Sequence, residues 1–155
     1  MKNLILAGLL ALSGTLLWPA DSYCQGGKPI LNHIAVYVQD LKVSTAFYRD
    51  IIHIDTIPEP FHDNRHTWFS IGDNSHLHLI QGAKSIVDHD KNGHLCFSVP
   101  SMDDFISRLD QHHIKYESWA GESMKETIRV DGIHQIYFKD PDGYWIEINT
   151  DYKKG

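Results

Sequence analysis

The chain has 155 residues, of which 42% are hydrophobic and 22% charged, a balance typical of one soluble globular domain. Its formal charge is -6 at pH 7 and no run of Lys or Arg stands out, which excludes the basic surface of a nucleic-acid-binding protein. The sequence contains 11 histidines, a number that makes a metal site worth seeking.

The N-terminal segment has the pattern of a signal peptide. Lys2 supplies a positive charge, and an uncharged apolar run follows from Leu4 to Leu17. This run is shorter than the roughly 20 residues that a membrane-spanning helix needs, which favours cleavage over a retained anchor. The sequence therefore predicts a signal peptide over residues 1–24, export to the periplasm or the medium, and no stable membrane insertion after cleavage. The bulky residue before Cys24 argues against a lipoprotein.

The first half of the predicted domain begins with an alternating strand pattern at residues 32–38. Asp40 then caps a predicted helical stretch that continues through Ile52. A weak strand near Ile54–Ile57 and a strand, turn and strand at residues 69–80 complete this half.

The same order of elements recurs in the second half. His94 follows His33 by 61 residues and is again the second residue of an alternating strand, at 93–99. Ser101 is the predicted cap of the next helix, and a weak strand is predicted near Ile114–Glu117.

The two hairpins at the ends of these halves also match. Residues 69–80 align without gaps on residues 138–149, at an offset of 69. The larger offset implies about eight extra residues around Trp119–Lys125, a predicted loop over the site. Residues 30–150 are therefore predicted to form an α+β fold of two tandem βαβββ modules, joined into one curved mixed sheet with helices on its outside.

Alternation along the strands places metal-capable groups on one face of each module. These groups are His33 and His78 in the first module and His94 and Glu147 in the second. Imidazole and carboxylate on rigid strands are suitable ligands for a divalent ion. A single histidine on a strand is usually satisfied or exposed, so the pattern alone leaves both a metal site and unrelated side chains open.

Four segments together resemble the vicinal oxygen chelate superfamily, which includes glyoxalases, bleomycin-resistance proteins and dioxygenases. They are Leu31–Val36 with Ala46–Asp50, then Gly93–Val99, then Phe138–Ile148 with its Asp-Pro-Asp-Gly and Ile-Glu sequences. The resemblance implies one divalent ion per chain, which could be Zn, Ni, Co, Mn or Fe. The implied ligands are His33, His78, His94 and Glu147.

The chain departs from glyoxalase I at one ligand, because that enzyme has a glutamate at the position of His78. An imidazole there makes the site one unit more positive and suits an anionic substrate with two chelating oxygens. His76 lies on the same strand face and is the alternative ligand. The resemblance further implies that the ion stabilises an enediolate and that Glu147 accepts the substrate proton.

Three functions follow from the resemblance. The leading one is a metal-dependent lyase or isomerase acting on a small substrate with neighbouring oxygens. An Fe(II) extradiol-type dioxygenase is the alternative, because His33, His94 and Glu147 would form a two-His-one-carboxylate triad. The third is a non-enzymatic drug-binding module of the bleomycin-resistance kind, against which four intact ligands count. The sequence leaves open whether two chains share each site in a homodimer. Candidates for pocket walls are Tyr37, Trp68, Trp119 and Trp145.

Overall fold

The structure is a computed structural model that describes residues 27–72 and 74–153. The predicted signal peptide, residues 1–24, lies outside these residues and stays a prediction. From Leu31 onward the chain forms one compact unit that contains both modules. In the described ranges, no helix is long and apolar enough to cross a membrane.

The first module has the predicted β-α-β-β-β order. Its elements are β1 (His33–Val38), α1 (Leu41–Phe47) with a π-helical turn (Tyr48–Ile52), β2 (Thr56–Ile57), β3 (His66–Ser70) and β4 (His76–Gln81). Asp40 caps α1 as predicted, since its carboxylate accepts hydrogen bonds from the amides of Lys42 and Val43.

The second module repeats this order. Its elements are β5 (His94–Ser98), α2 (Met102–Gln111), β6 (Thr127–Ile128), β7 (His134–Lys139) and β8 (Trp145–Asn149). The Ser101 hydroxyl caps α2 by accepting a hydrogen bond from the amide of Asp104 at 3.2 Å.

The predicted strand near Ile114–Glu117 is reduced to one residue, and this prediction was wrong in extent. Glu117 bridges Tyr137 of β7, but it also bridges Ser123, because the chain turns back immediately after it. The amide of Gly121 donates to the carbonyl of Ser118 at 3.0 Å within that turn. The strand that pairs with β7 is therefore β6, which follows the inserted loop.

The strands form two four-stranded sheets, ordered β1-β4-β3-β2 and β5-β8-β7-β6, instead of one continuous sheet. The pairs β1/β4 and β5/β8 are parallel and the others antiparallel. The register repeats as well: Ala35 lies opposite His78 in the first sheet, and Cys96 lies opposite Glu147 in the second. The tandem βαβββ architecture is thus confirmed down to the pairing of individual residues.

Both modules contribute to one hydrophobic core. Phe138 of β7 contacts Phe47 of α1 and Phe105 of α2, with ring centroids 6.2 and 6.0 Å apart. The buried strand residues that complete the core include Val36, Val38, Leu77, Leu79, Ile146 and Ile148. Because side chains alternate along a strand, the predicted ligand faces of both sheets point away from this core.

The Asp-Pro-Asp-Gly turn of the second module is bonded to α1 of the first. The buried carboxylate of Asp142 accepts hydrogen bonds from the amide of Gln39 at 2.6 Å and the hydroxyl of Ser44 at 2.5 Å. Asp140, also buried, accepts one from the Tyr48 hydroxyl at 2.8 Å. Buried and charge-assisted bonds of this kind fix the position of one module on the other.

The segment that connects the modules is fixed to the same turn. The Trp145 indole donates to the carbonyl of His89 at 2.8 Å, and the His89 ring stacks on Tyr144 with centroids 4.0 Å apart. Gly143 has φ of +90°, and a side chain there would collide with the carbonyl of Val87. The chain therefore cannot swing its two modules apart without breaking these contacts.

Candidate metal centre

In the second module, the structure brings His94 and Glu147 together. His94 Nε2 and Glu147 Oε2 lie 3.1 Å apart, on the neighbouring parallel strands β5 and β8. Two donors on one ion, with bonds of about 2.1 Å at right angles, would be ~3.0 Å apart. The observed spacing therefore suits two adjacent ligands of one divalent ion.

The protonation of His94 supports this interpretation. Its Nδ1 lies 2.8 Å from the carbonyl oxygen of Lys91, which can only accept, so Nδ1 carries a hydrogen. In the neutral ring the lone pair is then on Nε2, facing the carboxylate of Glu147. Two lone pairs at this distance repel each other unless a cation lies between them. Either a proton or a metal ion satisfies the pair.

The carboxylate of Glu147 is held by a cradle of four side chains, which we call the Glu147 cradle. Oε1 accepts from Gln135 Nε2 at 2.7 Å, Asn149 Nδ2 at 3.0 Å and the Cys96 thiol at 3.3 Å. Oε2 accepts from the Tyr137 hydroxyl at 2.8 Å. Burial of Glu147 favours its neutral form, but the hydrogen bonds from Asn149, Tyr137 and Gln135 outweigh this and lower its pKa. The group is therefore a carboxylate at neutral pH.

In the first module, His33 and His78 also lie together, but as stacked rings. Their centroids are 4.3 Å apart with an interplanar angle of 7°, and Trp68 stacks on the other side of His78 at 3.9 Å. His78 is 8% exposed, and its Nε2 is buried without a hydrogen-bond partner, as is the indole nitrogen of Trp68. Unpaired buried polar atoms are rare and point to a missing partner.

The ring of His78 is neutral at physiological pH. Burial, followed by the positive charge that His33 and His76 can carry, lowers its pKa to about 4. A neutral imidazole is the form that binds metal ions. His33 is prepared in the same way as His94, since its Nδ1 lies 2.8 Å from the side-chain oxygen of Asn32 and leaves Nε2 available.

The alternative ligand His76 lies one strand step away from this pair, and its ring centroid is 6.0 Å from that of His78. In the parallel register, His76 lies opposite His33, just as Trp145 lies opposite His94 in the second module. His78 is two residues further along its strand, at the position equivalent to Glu147. The register therefore favours His78 over His76.

The four predicted ligands form two separate pairs in one chain. Across the described residues, no three His, Cys, Asp or Glu side chains come close enough to hold one ion. The donor set still fits a divalent metal, because it offers imidazole nitrogens, a carboxylate and an unpartnered Nε2. The predicted set of His33, His78, His94 and Glu147 stays a prediction.

The loop predicted to cover the site lies beside the second pair. The Trp119 ring packs edge-on against Tyr137 with centroids 5.5 Å apart. The ammonium of Lys91 is 4.7 Å from the Trp145 ring centroid and is bonded to the carboxylate of Glu117 at the base of the loop. The loop thus stands over the strand residues that support Glu147.

The β7 residues of the Glu147 cradle are not among the site residues predicted from the sequence. Gln135 and Tyr137 alternate with the apolar residues Ile136 and Phe138, and that alternation is a readable signal of a polar strand face. That they support Glu147 could not be predicted, because it depends on the pairing of β7 with β8, which places Tyr137 opposite Glu147.

Comparison with known proteins gives a consistent result. A family model described as the Glyoxalase/Bleomycin resistance protein/Dioxygenase superfamily matches residues 30–148. The chain is 27% identical over 126 residues to the metallothiol transferase FosB of Staphylococcus epidermidis, covering 77% of this chain and 80% of that protein. It is 23% identical over 151 residues to a lactoylglutathione lyase of Pseudomonas putida, covering 77% of this chain and 83% of that protein.

Solved structures support the fold. The crystal structure of the fosfomycin resistance protein FosX from Listeria monocytogenes matches with a TM-score of 0.64 at 24% identity. The match covers 81% of this chain and 96% of that chain. Two βαβββ modules are therefore an arrangement that this chain has in common with a solved protein.

Proposed function

The chain belongs to the Glyoxalase/Bleomycin resistance protein/Dioxygenase superfamily, and from this premise we propose that it is a metal-dependent enzyme acting on a small substrate with neighbouring oxygen atoms. The observation that carries the proposal is the repeated pair of ligands. His33 with His78, and His94 with Glu147, occupy the same register positions of two equivalent sheets. A repeat that keeps metal-capable groups at both equivalent positions favours one shared task.

The residues of the chain prepare these groups for ligation. Hydrogen bonds at Nδ1 leave Nε2 of His33 and His94 free, and the low pKa keeps the His78 ring neutral. These four groups would hold a divalent ion, which would supply Lewis acidity for a substrate with two neighbouring oxygens. With three neutral imidazoles and one carboxylate, the site keeps a net positive charge that suits an anionic substrate.

We propose that the site is completed by a second copy of the chain. Within the described part of one chain the two pairs do not form a common site, since no three of these side chains come close enough to hold one ion. Strands β1 and β5 are both edge strands of their sheets. Their ligand faces are open, since His33 and Cys96 are exposed. Pairing β1 of one copy with β5 of another would bring the two pairs together.

Sedimentation analysis tests the dimer directly. The proposal expects a dimer at micromolar concentration, and a divalent ion should tighten it because the ion would bridge two chains. A protein that stays monomeric with bound metal would contradict the shared site.

The leading reaction is that of a lyase or isomerase in which a substrate proton next to a carbonyl is removed. The name of one relative, a lactoylglutathione lyase, supports this class, and the name of another, a metallothiol transferase, supports a metal-dependent enzyme more generally. The experiment is metal analysis of protein purified without a histidine tag, followed by assays with α-keto aldehydes and their thiol adducts. One ion per chain and turnover of such a substrate are expected. Protein that takes up no divalent ion, and shows no change in melting temperature with one, would contradict the proposal.

The stacking of His78 favours one second candidate, an Fe(II) dioxygenase of the extradiol type. If His78 keeps its place between Trp68 and His33, the remaining donors are two imidazoles and one carboxylate, the triad of non-haem iron oxygenases. Oxygen uptake with Fe(II) and a catechol separates this candidate from the leading one, since a lyase consumes no oxygen.

Export is proposed from the sequence pattern alone, since the N-terminal segment lies outside the described residues. The exported protein should begin between Asp21 and Gln25, which N-terminal sequencing measures. An intact Met1 in membrane-bound material would contradict cleavage.

A further inference from the structure

We propose that Glu147 binds the metal through Oε2 alone and stays bound during turnover, and that Gln135 and Asn149 are positioning residues that enforce this. The inference rests on the proposed function, since it assumes that a metal binds. It changes the role assigned to Glu147 from the sequence, where the resemblance made it the base that accepts the substrate proton.

The two oxygens of Glu147 have different surroundings. Oε1 accepts three hydrogen bonds, from Gln135 at 2.7 Å, Asn149 at 3.0 Å and Cys96 at 3.3 Å. Oε2 lies 3.1 Å from His94 Nε2. An oxygen that already accepts three bonds has no lone pair left for a metal ion, whereas Oε2 points to the other ligand of the pair.

The amide of Asn149 is itself fixed in orientation. Its Oδ1 accepts hydrogen bonds from the Ser98 hydroxyl at 2.7 Å and the Asp151 amide at 3.1 Å. The amino end must therefore face Glu147, because turning the amide over would oppose donor to donor at the backbone amide of Asp151, which can only donate. This chain of bonds connects the end of β5 to the carboxylate.

Apart from the exposed Cys96, the cradle is also buried. Glu147, Gln135 and Asn149 are 5%, 8% and 6% exposed, so water does not replace a hydrogen bond that is broken there. For Glu147 to leave the metal and reach a substrate proton, its carboxylate would have to rotate and leave two buried amides unpaired. Oε1 is therefore not free to accept a proton, and Oε2 is held in place by the Tyr137 hydroxyl at 2.8 Å.

The consequence concerns the class of reaction. Glu147 neutralises and holds the ion, and the substrate proton in a lyase or isomerase reaction has to be taken by a different group. Gln135 and Asn149 support the role of Glu147 as a ligand because they contact its carboxylate. They are positioning residues and not catalytic residues, since they act on the ion only through Glu147.

Infrared spectroscopy of the wild-type protein tests the binding mode without any variant. Glutamate is labelled with ¹³C at the carboxyl carbon, and difference spectra are recorded on adding Zn²⁺. Binding through one oxygen separates the antisymmetric and symmetric carboxylate stretches widely, and we expect this wide separation. A narrow separation, characteristic of binding through both oxygens, would overturn the inference.

Variants Gln135→Met and Asn149→Leu test the positioning role, since each removes a donor and keeps a similar volume. We expect the Zn²⁺ affinity to fall roughly 10- to 100-fold in each, and the infrared separation to narrow as Oε1 becomes available to the ion. The matched control is Gln111→Met, an exposed glutamine at the end of α2, for which neither quantity should change. Circular dichroism establishes that each variant is folded.

The outcomes separate this inference from the proposed function. If the wild type binds no Zn²⁺, the proposed function fails. If the wild type binds Zn²⁺ and the folded variants keep its affinity and spectrum, the proposed function stands and the positioning role is wrong.

Discussion

The two modules have the same fold and register but opposite chemistry at equivalent positions. Tyr137 of the second module corresponds to Trp68 of the first, so one position offers a hydroxyl to the Glu147 carboxylate and the other stacks an indole on His78. Glu147 of the second pair is a carboxylate with hydrogen bonds to both oxygens, whereas the His78 ring of the first pair is neutral and has an unpartnered Nε2.

The two modules of this duplicated fold can therefore contribute different kinds of ligand to one metal site. The second module supplies a negative charge and fixes it before any ion arrives. The first supplies the neutral ring of His78, whose buried Nε2 has no hydrogen-bond partner. Neither pair suffices for a four-ligand site, and the exposed edges of β1 and β5 are where two copies would combine them.

The largest expected effect is the loss of metal from the second pair. His94→Ala removes the imidazole that faces Glu147 at 3.1 Å. Supporting residues alone cost 10- to 100-fold in metal affinity, so loss of a ligand should lower it on the order of a thousandfold. Zn²⁺ titration calorimetry measures this, with His112→Ala at the exposed end of α2 as the matched control. Wild-type affinity in His94→Ala would remove this pair from the site.

The next effect concerns the turn that fixes one module on the other. Asp142→Ala removes two hydrogen bonds to a buried carboxylate and leaves the Ser44 hydroxyl unpaired, which should lower the free energy of unfolding by about 3 kcal/mol. Asn74→Ala, at an exposed position in the corresponding turn of the first module, should lower it by less than about 0.5 kcal/mol. Urea unfolding compares the two variants. Equal losses of unfolding free energy in the two variants would contradict the difference between the turns that the hydrogen bonds indicate.

Replacing the buried imidazole of the first pair with a carboxylate tests whether the two modules differ in the hydrogen-bond donors that they offer. His78→Glu places a carboxylate at the position equivalent to Glu147 but without the amides that support it there, so the metal-free protein should lose roughly 2 kcal/mol of stability. Added Zn²⁺ should raise its melting temperature more than that of the wild type. The exposed His112→Glu variant is the control. A metal-free His78→Glu protein as stable as the wild type would indicate that donors are available in the first module too.

The smallest effect is a pH dependence of the metal-free protein. The pKa of His78 is about 4 in the folded chain and about 6.5 in the unfolded chain, so the unfolded chain binds a proton that the folded chain does not. The stability that the neutral His78 ring contributes is therefore fully present well above pH 6.5 and is lost as pH falls towards 4. The loss in unfolding free energy amounts to about 1.4 kcal/mol by pH 5.5. The measurement is the difference in unfolding free energy between wild type and His78→Gln from pH 7.5 to 5.5. A constant difference would contradict the low pKa.

The sequence was sufficient for the fold because the fold is repeated. The signals were local ones: alternation along the strands, the helix caps at Asp40 and Ser101, and the spacing of His33 and His94. The structure contains both caps, and the strand registers of the two modules are equivalent. The second weak strand was misplaced, because a tight turn after Glu117 depends on bonds that no periodicity reveals.

The candidate site could be predicted only as a set of residues. That His78 stacks on Trp68, or that Asn149 accepts a hydrogen bond from Ser98, depends on side chains from neighbouring strands and therefore on tertiary packing. The separation of the ligands into two pairs also required the structure, because it depends on how the two sheets pack against their shared core.

The most direct test of the account is complementation between two defective chains. His33→Ala and His94→Ala chains with different tags are expressed together, and the mixed species is purified through both tags. In a shared-site dimer, one site combines both defects and the other combines His33 of one chain with His94 of its partner. The account predicts that the mixed dimer binds about half of the wild-type Zn²⁺, while each variant alone binds almost none. A mixed species that binds no Zn²⁺ would contradict a site built from two chains.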